Sequence, residues 1–140
     1  MAASLRLHHM GFVVADIAAA MPAFVHSMAA EWDGQIIEDP LQKAKVAFLT
    51  TRPGDAQIEL VQPVGEDSPV RRFLQERGGM HHLCYEVADL EAELKAFRSR
   101  GAAIASRPKP AVAFGGRRIA WVITSEKFLV ELLEEARAGL

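Results

Sequence analysis

Cysteine is nearly absent from this chain: Cys84 is its one thiol. A lone cysteine excludes an internal disulfide and is too few for a thiolate zinc site. Set between Leu83 and Tyr85, it reads as a small core hydrophobe. Long apolar runs are missing too, since each is broken by a charge, a histidine or a proline well short of the roughly 20 residues of a membrane span. The N-terminal stretch through His8 and His9 has neither the basic region nor the apolar core of a secretory signal, so a cytoplasmic location is expected. Nor is there an excess charge: 16 Lys and Arg against 18 Asp and Glu give a formal −2 over 140 residues. The basic residues are scattered, so there is no electrostatic footprint for nucleic acid. What is present is the balance of a globular protein, 50% hydrophobic and 24% charged, with enough apolar surface for a sizeable core.

The organising feature is an internal repeat, sought before any element is assigned because a missed period misreads the whole fold. A shift of 73 positions lays residues 7–17 over 80–90, aligning His8-His9 with His81-His82 and Val14-Ala15-Asp16 with Val87-Ala88-Asp89. The same shift matches Ala19 with Ala92, Ala23 with Ala96, Phe24 with Phe97, and Val46-Ala47-Phe48-Leu49 with Ile119-Ala120-Trp121-Val122. After a slip of one residue, Ile58-Glu59-Leu60 falls on Val130-Glu131-Leu132. Two homologous halves follow, residues 5–63 and 79–135, joined by a proline- and charge-rich linker at 64–78.

Each half reads as strand, helix, then three strands. Residues 7–15 and 80–88 alternate and are rich in β-branched and aromatic types, as strands are. Asp16 and Asp89 stand where an N-cap belongs, ahead of apolar residues at helical spacing: Ile17, Met21, Phe24 and Met28, then Leu90, Leu94 and Phe97. Gly101 is a natural stop for the second helix, and Pro22 falls in the early turns of the first. Further strands are expected at 33–38, 43–51 and 56–62, and at 102–106, 116–124 and 128–134, with a short linker helix from Ser68 and Pro69. The predicted class is α+β: tandem βαβββ modules within one 140-residue domain, neither large enough for much of a core alone. Pairing them about a pseudo-twofold axis would give a curved, mixed-sheet cleft.

Two of the repeated pairs are polar residues inside strands, His9 with His82 and Glu59 with Glu131. A strand histidine alone is ordinarily a hydrogen-bonded core residue, and a strand glutamate alone ordinarily faces solvent. All four at equivalent positions of a duplicated unit point instead to a shared site. An inward carboxylate is expensive to bury unpaired, and a divalent metal removes that expense. Two imidazoles and two carboxylates make a suitable N/O ligand set whose −2 balances the ion. Cobalt, zinc, nickel and manganese all suit it. His8 and His81 alternate to the other face, where a structural role is expected, and His26 has no repeat partner. Phe48, Trp121, Met10 and Leu83 read as core or cleft wall.

The doubled unit with one His and one acidic ligand per half resembles the vicinal-oxygen-chelate superfamily, the glyoxalase and bleomycin-resistance proteins, over essentially the whole chain. Within it, residues 57–69, 78–87 and 114–122 are most similar to the methylmalonyl-CoA epimerases, the Gly65–Pro69 linker followed by Gly78-Gly79-Met80-His81-His82 being the most specific part. The resemblance implies a glyoxalase-like fold and His9, Glu59, His82 and Glu131 as metal ligands. It further implies an isomerase that removes a proton α to a carbonyl and returns it through a metal-stabilised enolate, with Glu131 as base and Glu59 or a water as substitute for the second acid. An acyl-CoA is the implied small-molecule partner and a homodimer the implied assembly. Two departures stand out: some epimerases carry a glutamate on the third strand where this chain has Val46, and the usual His-Pro-Lys turn and Gly-Gly pair before the last strand are replaced by residues 123–129. Arg117, Arg118 and Lys127 could meet a CoA phosphate or a substrate carboxylate, though solvated surface charge is the commoner role of such residues.

Other functions fit parts of the pattern. A lactoylglutathione-lyase-type isomerase shares the ligand set and the enediolate logic. An extradiol dioxygenase uses two histidines and one carboxylate, which leaves a fourth ligand surplus. An antibiotic-sequestering binding protein would use the same cleft without chemistry and commonly lacks the metal set.

Overall fold

The computed structural model describes residues 5–136. The chain divides into two compact units, one of residues 9–81 and the other combining the start of the first strand, up to His8, with the chain from His82 onward.

In the first unit, strand β1 (Arg6–Val13) leads through Asp16 into helix α1 (Ile17–Met28), followed by β2 (Glu31–Trp32), β3 (Ile37–Asp39), β4 (Ala44–Thr50), β5 (Gln57–Pro63) and a short helix α2 (Arg71–Glu76). β1 runs parallel to β5, while β4 is antiparallel to β5, β2 and β3, so the sheet is mixed. The Asp16 carboxylate accepts the Ala19 N–H at 2.9 Å, and Gln62 Oε1 accepts the Ile17 N–H at 2.9 Å. Two donors that a helix start leaves unsatisfied are thereby satisfied. α1 lays Ile17 and Met21 on Ala47, Leu49, Ile58 and Leu60, all buried, with Met10, Phe12 and Phe24 around them. The opposite sheet face therefore carries the alternate residues of each strand: His9 and Gly11, Glu59 and Val61, Val46 and Phe48.

The second unit repeats the plan. β6 (Gly79–Val87) leads through Asp89 to α3 (Leu90–Ser99), then β7 (Ala103–Pro110), a 3₁₀ turn at Val112–Phe114, β8 (Arg118–Ile123) and β9 (Leu129–Glu134). β6 is parallel to β9, and β9–β8–β7 is antiparallel. Asp89 accepts the Ala92 N–H at 3.0 Å. Leu90, Leu94 and Phe97 pack on Ala120, Val122, Val130 and Leu132, positions that match those of the first unit residue for residue. Cys84 is fully buried with Ala111, Ile119 and Leu133, the core position its setting predicts.

Some boundaries differ from the sequence expectation. The strand expected at 33–38 is two short strands separated by a turn at Asp33, whose carboxylate accepts the Gln35 N–H. The linker helix starts at Arg71 instead of Ser68, because Ser68 to Val70 form a turn closed by Arg71 N–H to the Ser68 carbonyl. Pro22 is the sixth residue of α1, deeper than the first turn, and leaves the Ala18 carbonyl without its helical donor. β7 runs on to Pro110 past two register irregularities. Among the described residues no helix is long and apolar enough to cross a membrane.

Candidate metal centre

Each unit carries one buried histidine–glutamate pair, positioned by a parallel strand pair. In the first, His9 on β1 and Glu59 on β5 are 0% and 4% exposed, with His9 Nε2 3.3 Å from Glu59 Oε1. In the second, His82 on β6 and Glu131 on β9 are both 3% exposed, with Nε2 3.5 Å from Oε1. The registers correspond. Glu59 lies between Gly11 on β1 and Phe48 on β4, and Glu131 between Cys84 on β6 and Trp121 on β8. Each glutamate thus has a small residue on the side from which the histidine reaches across, and an aromatic one on the other. The isoleucine, leucine and valine flanking each glutamate in sequence point to the helix side, which turns the carboxylate to the opposite sheet face.

The aromatic neighbours do more than wall the site. Phe48 meets the His9 ring edge-on at 5.6 Å between centroids and 72°, and Trp121 meets His82 at 4.8 Å and 79°. Edge-to-face packing of this kind fixes the plane of an imidazole and hence the direction of its donor nitrogen. Sequence reasoning assigned both residues to core or cleft wall and missed this positioning role. The repeat offset that matched Phe48 with Trp121 held the signal, since residues equivalent in both halves neighbour equivalent histidines. His8 and His81 pack edge-on against Phe114 and Phe73.

The donor set fits a divalent ion. Each pair brings an imidazole nitrogen and a carboxylate oxygen close enough to share one ion. These N/O donors suit zinc, cobalt, nickel and manganese. A carboxylate this deeply buried requires nearby positive charge, and two glutamates with two neutral histidines would offset a +2 ion.

Of the basic residues considered for anion binding, Arg117 and Arg118 are engaged elsewhere. Arg117 Nη1 donates to Glu86 Oε2 at 2.7 Å and to the Glu134 carbonyl at 3.3 Å. Arg118 bridges Glu134 at 3.0 Å and Glu91 at 2.7 Å. Its hydrogen bonds, to Glu134 first and Glu91 second, hold the guanidinium still more firmly protonated, and Arg118 in turn holds the Glu91 carboxyl below its ordinary value. Lys127 sits in the β8–β9 turn with a left-handed backbone, φ 73°, its N–H closing onto the Thr124 carbonyl.

Residues 8–121 match the Glyoxalase/Bleomycin resistance protein/Dioxygenase superfamily. The chain belongs to this superfamily. Several of its relatives within the superfamily are epimerases. An ethylmalonyl-CoA/methylmalonyl-CoA epimerase of Cereibacter sphaeroides is 33% identical over 116 residues, covering 81% of this chain and 84% of that protein. The mitochondrial methylmalonyl-CoA epimerase of Homo sapiens is 34% identical over 89 residues, 62% of this chain, and the match spans about half (49%) of the human protein. Among solved structures, the methylmalonyl-CoA epimerase of Mycobacterium tuberculosis superposes with a TM-score of 0.83 at 27% identity, covering 98% of this chain and 94% of that one. The α+β fold with its mixed sheets and three helices is therefore the glyoxalase-like fold of these enzymes.

Proposed function

We propose that the chain is an epimerase acting on the α-carbon of an acyl-CoA thioester, with methylmalonyl-CoA the first substrate to try, and that His9, Glu59, His82 and Glu131 jointly hold its divalent ion. The observation that carries this reading is the pair of matched, buried histidine–glutamate couples. A single couple offers two donors, fewer than the three or four protein ligands of a typical catalytic zinc site, whereas the two together offer four. The epimerase relatives supply the reaction class.

Epimerising a carbon between a thioester carbonyl and a carboxylate requires its proton to be removed from one side and returned on the other. A bound divalent ion supplies positive charge that stabilises the enolate developing between these steps. Glu131 takes the proton, its carboxylate set in direction by the β8–β9 register beside Trp121. On the other side, Glu59, held in the same manner beside Phe48, returns a proton only in its protonated form, or a water supplies it. Val46 cannot: it is a buried valine in the first unit, paired with Val61 and Ile37, and has no proton to give. That leaves the second transfer to Glu59 or a water. His9 and His82, steadied by Phe48 and Trp121, act as neutral donors. The enzyme is expected to be a cytoplasmic homodimer.

The test is solvent deuterium incorporation into methylmalonyl-CoA by protein loaded with cobalt, zinc, nickel or manganese. Incorporation at the α-carbon supports the assignment; no exchange with any of the four metals removes it. A parallel hemithioacetal assay separates the lactoylglutathione-lyase-type reading.

A further inference from the structure

The basic residues are scattered over the chain as a whole, but one segment holds them without any counter-charge of its own. Residues 94–112, from the middle of α3 through β7, carry Lys95, Arg98, Arg100, Arg107 and Lys109 and no acidic residue. The shift of 73 positions lays this segment over residues 21–39, from α1 through β3, which carry Glu31, Asp33, Glu38 and Asp39 and no basic residue. The duplicated half thus serves as an internal control. The same stretch of fold, a helix end followed by the strands beyond β4 or β8, is acidic in one unit and basic in the other, so packing demands neither sign.

The cations gather on one side of the second unit. Arg118 on β8 holds Glu91 at 2.7 Å, which turns that flank of α3 toward β8 and its neighbour β7. Lys95 and Arg98 follow Glu91 at i+4 and i+7, one and two turns along the same flank. Ile104 of β7 packs against the cluster that contains Leu94 and Phe97, which sets the strand against the helix, and Arg107 and Lys109 lie further along it. Lys95, Arg98 and Arg107 are exposed and Lys109 is half-buried. Among the described residues none of these four has an acidic partner, while the Glu91 carboxylate is taken by Arg118. Arg100 rests over the Phe97 ring at 4.6 Å.

We propose that this α3–β7 face is a docking surface for an acidic segment of another protein. Like charges held together without counter-charges favour an anionic partner. Three of the five cations are arginines, whose planar guanidinium meets a carboxylate through two parallel hydrogen bonds. A lipid surface calls for exposed apolar side chains to insert, and none of the large exposed hydrophobics among the described residues lies in α3 or β7. A nucleic acid calls for stacking platforms or a basic chain; here Phe97 is buried and the whole chain carries −2. Carboxylates of moderate charge density fit this face better than either. The inference does not depend on the epimerase reading.

Titration of fluorescently labelled poly-L-glutamate with the full chain, followed by fluorescence anisotropy, tests this. Binding is expected at low ionic strength and should weaken as salt is added. The double variant Arg98→Glu, Arg107→Glu sets like charges against the ligand and should lose about tenfold or more in affinity. Arg52→Glu, Arg77→Glu changes the net charge equally through exposed residues of the first unit. It should change affinity by less than about twofold. Amide chemical-shift mapping should place the poly-L-glutamate footprint on α3 and β7. No binding of poly-L-glutamate, equal losses in the two double variants, or a footprint elsewhere overturns the proposal. So does tighter binding of duplex DNA or of phosphatidylserine vesicles through Arg98 and Arg107, which would make the occupant a nucleic acid or a membrane.

Discussion

At the scale of single residues, the roles proposed for the two buried histidine–glutamate couples can be separated by substitution. Glu131→Gln keeps size and hydrogen-bonding capacity and removes the basic oxygen, so proton exchange should fall about a hundredfold or more while far-ultraviolet circular dichroism stays that of wild type. Full exchange in this variant would contradict its assignment as base. Arg117 makes the converse case. Its guanidinium is one quarter exposed and tied to Glu86, the Glu134 carbonyl and the Phe114 carbonyl. Arg117→Ala should therefore act on stability, by about 1–3 kcal/mol in urea denaturation, because it strips a half-buried carboxylate of its shorter ion pair and leaves it Arg6 at 3.2 Å. A phosphate-binding role would instead weaken acyl-CoA binding and leave the denaturation midpoint in place, and comparing the two measurements decides between them.

At the scale of elements, the helix ends carry the clearest consequences of local sequence. α1 stops at Ala29, held left-handed at φ 50° with the Ala30 N–H closing on the Val25 carbonyl, whereas α3 stops before Gly101 at φ 95°, with the Ala102 N–H closing on the Phe97 carbonyl. Only glycine adopts that backbone without a clash from Cβ. Ala29→Gly should stabilise the protein by about 1 kcal/mol and Gly101→Ala destabilise it by a similar amount, read as opposite shifts in thermal midpoint. These ends, and the Asp16 and Asp89 caps, were legible because caps and apolar spacing are local properties. So were the four matched histidine and glutamate positions, as a repeat, although their meeting as pairs depends on the parallel pairing of β1 with β5 and of β6 with β9. The interruption of the third element was legible only in part: Asp33-Gly34 is a turn signal, but that residues 31–32 and 37–39 both pair with β4 depends on a distant strand. The length of β7 was illegible for a different reason. Pro108 and Pro110 read as breakers, yet among the described residues β7 pairs with β8 alone, and an edge strand with bulges tolerates proline.

At the scale of the whole molecule, the proposed four-residue metal centre would make metal binding a property of neither half alone. If one ion is held by all four residues, removing either histidine leaves three donors, and removing one from each half leaves two. His9→Ala and His82→Ala should then each depress metal uptake severely, and the double variant should add far less than the sum of the two effects, since ligands of one ion do not act independently. If each pair bound its own ion, each single variant would keep half the metal and the two losses would simply add. The same linkage sets thermal stability. An ion that binds only the folded chain contributes about 2.7 kcal/mol at a free concentration 100 times its Kd. For a chain of this size that corresponds to roughly 5–12 °C in thermal midpoint. Elemental analysis alongside thermal denaturation, with and without a chelator, measures both quantities on the same samples. A shared centre requires that either histidine substitution alone abolish nearly all of the chelator-sensitive stabilisation, whereas two separate centres require that about half of it survive in each.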